Sequence, residues 1–147
     1  MEKDFLDPQK VLDQLDLAPN MIAADFGSGS GGWAIPLAEK LTEGKVFAID
    51  ILKEPLSALE GKMRSKRILN IQTILSNVEQ KGGSKVSDSS VDLVLMTNLL
   101  FQVENRQEVF QEAKRILKKG GKILIVDWFL KTPFGPEKGR IQLESVK

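Results

Sequence analysis

Gly27-Ser28-Gly29-Ser30-Gly31-Gly32 narrows what this chain can fold into more than any other stretch. It follows the apolar run Met21-Ile22-Ala23-Ala24 and its extension Asp25-Phe26, and it leads into Trp33 to Leu41. In that following run Trp33, Leu37, Ala38 and Leu41 recur at helical spacing. The context is therefore strand, glycine turn, helix. A Gly-Ser linker would have the same composition, but a linker has no reason to lie between a strand and a helix. Such a turn exposes backbone that side chains would otherwise shield, so a ligand can approach it closely. A second apolar run, Lys45-Val46-Phe47-Ala48-Ile49, ends on Asp50. An acid at that point can accept hydrogen bonds from both hydroxyls of a ribose. Together the two features point to an adenosine-containing ligand.

The rest of the chain alternates in the same manner. A helix is predicted over 8–17, with Pro8 in its first turn and Val11, Leu12 and Leu15 on one face. Strands are predicted at 21–26, 45–50, 70–75, 91–97 and 122–128. Between them, helices are predicted at 33–41, closed by Gly44, at 53–66 and at 105–118, the last capped by Gly120-Gly121. The polar segment 79–90 reads as loop. Near-continuous apolar strands alternating with helices imply a parallel sheet covered on both faces. Right-handed crossovers make it a doubly wound, Rossmann-like α/β sheet of five parallel strands in the order 3-2-1-4-5. Ligands of such sheets bind at the carboxyl ends of the strands. The loops after Ala24, Ile49, Leu75 and Met96 should therefore converge. No repeat or linker divides residues 1–147, which read as one domain.

Composition removes several chemistries. The 147 residues include no Cys, His or Tyr. A disulfide framework, a Cys/His zinc site and a Ser-His-Asp triad are excluded, and no metal site is expected. The absence of cysteine suits the cytoplasm. A net charge of +1 gives no global attraction to nucleic acid or to a membrane surface. Residues 1–20 carry five acids and no long apolar core, so no secretory signal is expected, and no window is apolar enough to span a bilayer.

Gly27-x-Gly29-x-x-Gly32 also satisfies the dinucleotide fingerprint, which keeps a nicotinamide-binding domain as an alternative. Asp25 counts against it. A carboxylate there would face the phosphates of a dinucleotide, whereas it suits an ammonium group. With this acid in place, the chain resembles the class I S-adenosylmethionine-dependent methyltransferases. Asp25-Phe-Gly-Ser-Gly-Ser-Gly31 is similar to their first motif, and Val46-Phe-Ala-Ile-Asp50 to their second strand and its ribose acid. Leu75-Ser-Asn-Val-Glu79 is similar to their segment at the adenine, and Val91 to Asn98 to their fourth strand. Glu112 to Asp127 resembles the helix and fifth strand that follow. The likeness is strongest to the small-molecule branch that includes quinone-biosynthesis and arsenite methyltransferases.

The resemblance implies S-adenosyl-L-methionine as cofactor, S-adenosyl-L-homocysteine as product, and methyl transfer to a small molecule by in-line displacement. It implies Asp25 near the methionine ammonium and the backbone of Gly27, Ser28 and Gly29 beside the methionine and ribose. It implies Asp50 on the ribose, Ile51 against the adenine, and Asn77 and Val78 at the adenine edge. Asn77 stands where the family usually has Asp, so its oxygen accepts without charge and weaker cofactor affinity is expected. Thr97 is the last of the implied cofactor-binding residues, and with Asn98 it lies where the fourth strand opens toward substrate. Asn98, Gln102 and Asp127 are candidates on the substrate side, each equally readable as a loop or strand-end hydrogen-bonding residue. In-line displacement from a sulfonium needs alignment and a shielded pocket more than a named acid or base. A covalent pyrimidine mechanism is excluded by the missing thiol. Thr97-Asn-Leu-Leu-Phe101 also lacks the Pro-Pro-Tyr signature of base-amine methylation.

Some features have plainer readings. Lys62, Arg64, Lys66 and Arg67 read as the solvated, positive end of a helix rather than a phosphate contact. Trp33 and Trp128 read as core or rim packing, with a pocket-lining place as the alternative. Residues 1–20 could form a helix packed on the sheet or a lid over the cofactor. The family's two last strands are expected to be missing, with 129–147 an extension whose residues 141–147 form the first turns of a helix. The apolar fifth strand would then be a sheet edge, and such an edge invites pairing with another chain. Self-association through 122–145, as a homodimer or larger oligomer, is the corresponding expectation. A non-catalytic, cofactor-binding regulatory subunit remains the alternative function.

Overall fold

The computed structural model describes residues 7–100, 102–132 and 135–145, with side chains described as far as residue 126. The element order is α1 (Pro8–Asp13), β1 (Ile22–Phe26), α2 (Ala34–Lys40), β2 (Lys45–Asp50), α3 (Lys53–Lys66), β3 (Ile71–Leu75), β4 (Val91–Thr97), α4 (Arg106–Ile116), β5 (Leu117–Thr132) and β6 (Gly135–Ser145). Among the described residues the strands form one sheet in the order β3-β2-β1-β4-β5-β6. The first five are parallel, as expected from the alternating pattern.

Two apolar layers sandwich the sheet, and the period of two along each strand assigns residues to them. Ala23, Val46, Ala48, Leu93, Leu95 and Leu124 pack with Leu12, Leu37, Leu41 and Leu59 from α1, α2 and α3 and the loop after α2. Ala24, Phe26, Ile49, Val94, Met96 and Ile123 face the other way and pack with Val109, Ala113 and Ile116 of α4. Burial on both faces is what makes these strands read as unbroken apolar runs.

Four expectations are corrected. The first helix stops at Asp13 rather than residue 17. Gln14 is its C-cap, with its N–H turned back to the carbonyls of Leu12 and Val11; Leu15 and Leu17 still pack on the core without helix. The Gly120-Gly121 pair does not cap α4, which ends at Ile116 with Leu117 already extended. The pair sits where β5 slips register, between the pairings Val91↔Leu117 and Leu93↔Lys122, and Gly120 takes φ +84° there. Residues 141–145 are strand, not helix. β6 runs antiparallel to β5, with Ile141 opposite Val126 and Leu143 opposite Leu124. The alternation Ile141-Gln142-Leu143-Glu144 carries a strand period, and four residues are too few to outweigh the expected helix. The fifth strand is consequently no sheet edge. β6 occupies its free backbone groups, and strand pairing through an open β5 edge gives no basis for self-association.

Gly44 closes α2 as expected, its N–H donating to Leu41 O at 2.9 Å. A Cβ there would lie 1.8 Å from Met21 O, so no other residue fits.

Candidate functional site

The turns after β1, β2, β3 and β4 open into one cavity of about 490 Å³, within the size range of ligand pockets. Its floor is the glycine turn. Gly27 N and Ser28 N both donate to Ile49 O, at 2.8 and 3.0 Å, which ties the turn to β2. Gly27, Gly29 and Gly31 have φ of +75°, +55° and +96°, conformations that side chains resist. At Gly31 space is excluded as well, since a Cβ would lie 2.4 Å from Leu59 Cδ1. Lys62 reaches over from α3 and donates to Ser30 O at 3.1 Å. One member of the basic run is thus a clamp on the turn rather than a purely solvated charge.

Asp50 stands at the end of β2. One carboxylate oxygen accepts from Gly29 N at 2.8 Å and the other from Leu52 N at 2.9 Å. A carboxylate has about four acceptor positions, so each oxygen keeps capacity for a ligand hydroxyl. Ile51 and Leu52 follow it, 60% and 56% exposed, an apolar rim left uncovered by the protein itself.

The wall opposite comes from Ser76, Asn77, Val78 and Glu79. The Asn77 side-chain oxygen accepts from Glu79 N at 2.9 Å. Glu79 accepts from Glu104 N and Asn105 N, both at 3.0 Å. It thereby caps α4, whose own N-cap residue, Asn105, makes no side-chain capping bond. The last side is Thr97, Asn98, Leu99, Gln102 and Val103. Asn98 takes φ +53°, and its buried side-chain oxygen has no hydrogen-bond partner. Its backbone donates to Val126 O at 2.7 Å, fixing the end of β4 to β5.

Asp25 lies beneath this surface rather than on it. It is fully buried, and neither carboxylate oxygen has a partner. Burial, reinforced by the nearby Asp50 charge, pushes its pKa up to about 8. An acid kept in that condition lacks the cation or donors that would stabilise its charge.

The structure therefore brings together Gly27, Ser28, Gly29, Asp50, Ile51, Asn77, Val78, Thr97, Asn98 and Gln102 on the cavity wall, with Asp25 below. The side chains of Asp127 and Trp128, and residues 1–6 of the suggested lid, lie outside what is described. Residues 7–20 do not line the cavity; α1 packs into the core through Val11 and Leu12. Trp33 does line it, half-buried. Ser76, inside the segment that resembles the family's adenine stretch, lines it too. Leu52, Pro55, Leu99 and Val103 line it as well, and sequence reasoning does not single them out; for Leu52 the signal is its place just past the end of β2. No group of three or more acidic side chains able to hold a metal occurs among the described residues. No described helix is long and apolar enough to cross a membrane.

Comparison with known proteins bears on this arrangement. Residues 24–125 match the family described as "Methyltransferase domain". The chain is 27% identical over 128 residues to a demethylmenaquinone methyltransferase of Bacillus cereus, covering 86% of this chain and 53% of that protein. It is 27% identical over 119 residues to an arsenite methyltransferase of Halobacterium salinarum, covering 80% and 30%. It spans about half the length, or less, of these curated relatives. Among solved structures, a SAM-dependent methyltransferase from Aquifex aeolicus superposes with a TM-score of 0.77 at 26% identity, covering 88% of this chain and 69% of that one.

Proposed function

From the premise that this chain belongs to the methyltransferase-domain family, we propose that it binds S-adenosylmethionine in the cavity and transfers the methyl group to a small molecule. The carrying observation is Asp25, a fully buried acid without partners, one residue removed from a turn of left-handed glycines. An α-ammonium group supplies the positive charge that this carboxyl lacks. The other walls fit the remaining parts of the same molecule. Asp50 retains acceptor capacity for ribose hydroxyls. Ile51 offers an uncovered apolar surface to a nucleobase, and Asn77 and Val78 offer polar and apolar atoms at its edge.

The cofactor supplies an electrophilic methyl group on a sulfonium. The task of this chain is then to align and shield. Gly27 to Gly29 hold the backbone close and rigid through their bonds to Ile49 and Asp50. Thr97, Asn98 and Gln102 lie at the strand end where an acceptor enters. Asn98 has an unmet acceptor oxygen with which to orient an N–H or O–H of that acceptor. The relatives' names support a small-molecule acceptor, and the lack of cysteine supports a cytoplasmic setting.

Isothermal titration with S-adenosylmethionine, S-adenosylhomocysteine and NAD tests the site, with Asp50→Ala alongside. The first two should bind, and the substitution should weaken both by about tenfold, the loss expected for one or two charge-assisted hydrogen bonds. Selective NAD binding, or no binding to either adenosyl ligand, would overturn the reading. Methyl transfer to a panel of thiol, quinol and amine acceptors then separates catalysis from binding alone.

A further inference from the structure

The segment joining β3 to β4 contains one buried polar knot. Glu112 of α4, 2% exposed, accepts from Gly82 N at 2.9 Å, Ser84 N at 2.9 Å and Ser84 Oγ at 2.5 Å. Arg115 donates to the same carboxylate from Nε at 3.0 Å and Nη2 at 2.5 Å, and reaches on to Asp88. The turn so held is pressed against the cavity wall. A Cβ on Gly83 would lie 1.8 Å from Asn77 O, and Gly83 O accepts from Ser76 Oγ. Gln80 N donates to Asn77 O at 3.3 Å, and Gly83 N to Gln80 O at 2.8 Å. Ser76 and Asn77 are themselves cavity residues.

We infer that Glu112 is a positioning residue for the nucleobase of the bound ligand, acting through the 82–84 turn to set the Ser76–Asn77 wall. The inference rests on the cavity being the adenosyl site. α4 is tied to this wall at two points: Glu79 accepts from Glu104 N and Asn105 N, just ahead of its first residue, and Glu112, two turns further on, accepts from the 82–84 turn. A buried ion pair is a poor way to gain stability compared with apolar packing. Here the turn presents three donors to α4, and a carboxylate with two oxygens can satisfy all of them. In Glu112→Gln an NH2 group faces donors on both the turn and Arg115, which releases the turn.

The test compares Glu112→Gln with Asp92→Asn. Asp92 accepts from Ile22 N and pairs with Lys118 at the opposite ends of the strands, so its loss serves as a stability control. In ligand-free Glu112→Gln, the amides of Glu79, Gln80 and Gly83 should exchange at least tenfold faster, while those of Gly27 and Ser28 keep wild-type rates. The dissociation constants for S-adenosylhomocysteine and adenosine should both rise about tenfold. Asp92→Asn should lower the melting temperature and leave both constants within twofold. If Glu112→Gln fails to fold, Ser84→Ala should show the same pattern at about threefold. Wild-type binding with unchanged exchange and affinity in the variant would overturn this inference alone. An equal affinity loss in Asp92→Asn would also overturn it, reducing Glu112 to general stability. A wild type that binds neither ligand would overturn the site reading and the inference with it.

Discussion

Two buried carboxyls, Asp25 under the glycine turn and Glu112 under the 82–84 turn, are treated in opposite ways. Both are withdrawn from water, at 0% and 2% exposure. Asp25 has no partner and its pKa is pushed up to about 8. Burial pushes Glu112 up as well, but hydrogen bonds from Arg115 and Ser84 outweigh it and bring the group down to about 2. Burial alone therefore does not decide the state of an acid; what surrounds it does. The region around Glu112 is internally complete and belongs to the fold. The region around Asp25 is left incomplete, as expected where a ligand supplies the missing cation.

The comparison breaks most sharply at Asp25→Asn. A raised folded pKa means the folded state holds the proton more tightly than the unfolded chain. Below pH about 4 both states are protonated and Asp25 costs nothing. Between about 4 and about 8 the penalty grows, and above that it is complete, on the order of a few kcal/mol. Asp25→Asn should therefore stabilise the ligand-free protein by an amount that rises across that window, while weakening S-adenosylmethionine by tenfold or more. Denaturant melts at pH 4, 6 and 8 with parallel titrations check both. Glu112 runs the other way: its contribution is present above about 4.5 and is lost as pH falls toward about 2. A flat pH difference between Asp25→Asn and wild type would remove the basis for calling its surroundings incomplete.

Asn77 is an intermediate case, since its oxygen has one partner, Glu79 N, and lies on the cavity. Asn77→Asp should keep that bond and present a charged acceptor. Affinity for S-adenosylhomocysteine should rise about threefold to tenfold, with a melting temperature close to wild type. Titration decides it. Unchanged affinity would mean that the Asn77 side chain caps its own turn and does no more.

How much of this was legible beforehand follows from where each constraint lies. The glycine turn, the acid after β2 and the 3-2-1-4-5 order were readable because each is local or imposed by alternation. α3 has its expected bounds, 53–66, because Leu56 and Leu59 bury one face and nothing interrupts it. β6 is not legible in the sequence because its pairing with β5 is tertiary, and four alternating residues carry little signal. The burial of Asp25 was invisible: sequence places an acid at a strand end but not on which side of the surface it falls. Glu112 appeared only as part of a helix. Its partner Arg115 lies three residues on, at helical spacing, but the turn it holds lies about thirty residues away, at Gly82 and Ser84, and no spacing rule joins the two.

The smallest expected effect comes from the clamp on the other side of the site. Lys62 holds Ser30 O from an exposed position, whereas Glu112 holds its turn from inside. An exposed cation loses most of its electrostatic advantage to water, so Lys62→Met should cost below about 1 kcal/mol. The glycine turn is otherwise fixed by backbone bonds from Gly27, Ser28 and Gly29. Affinity for S-adenosylhomocysteine should fall no more than about twofold in Lys62→Met. A tenfold fall would show that the glycine turn, like the wall opposite, depends on a side chain from a neighbouring helix. The contrast would then lie only between the two acids, and no longer between the regions that hold them.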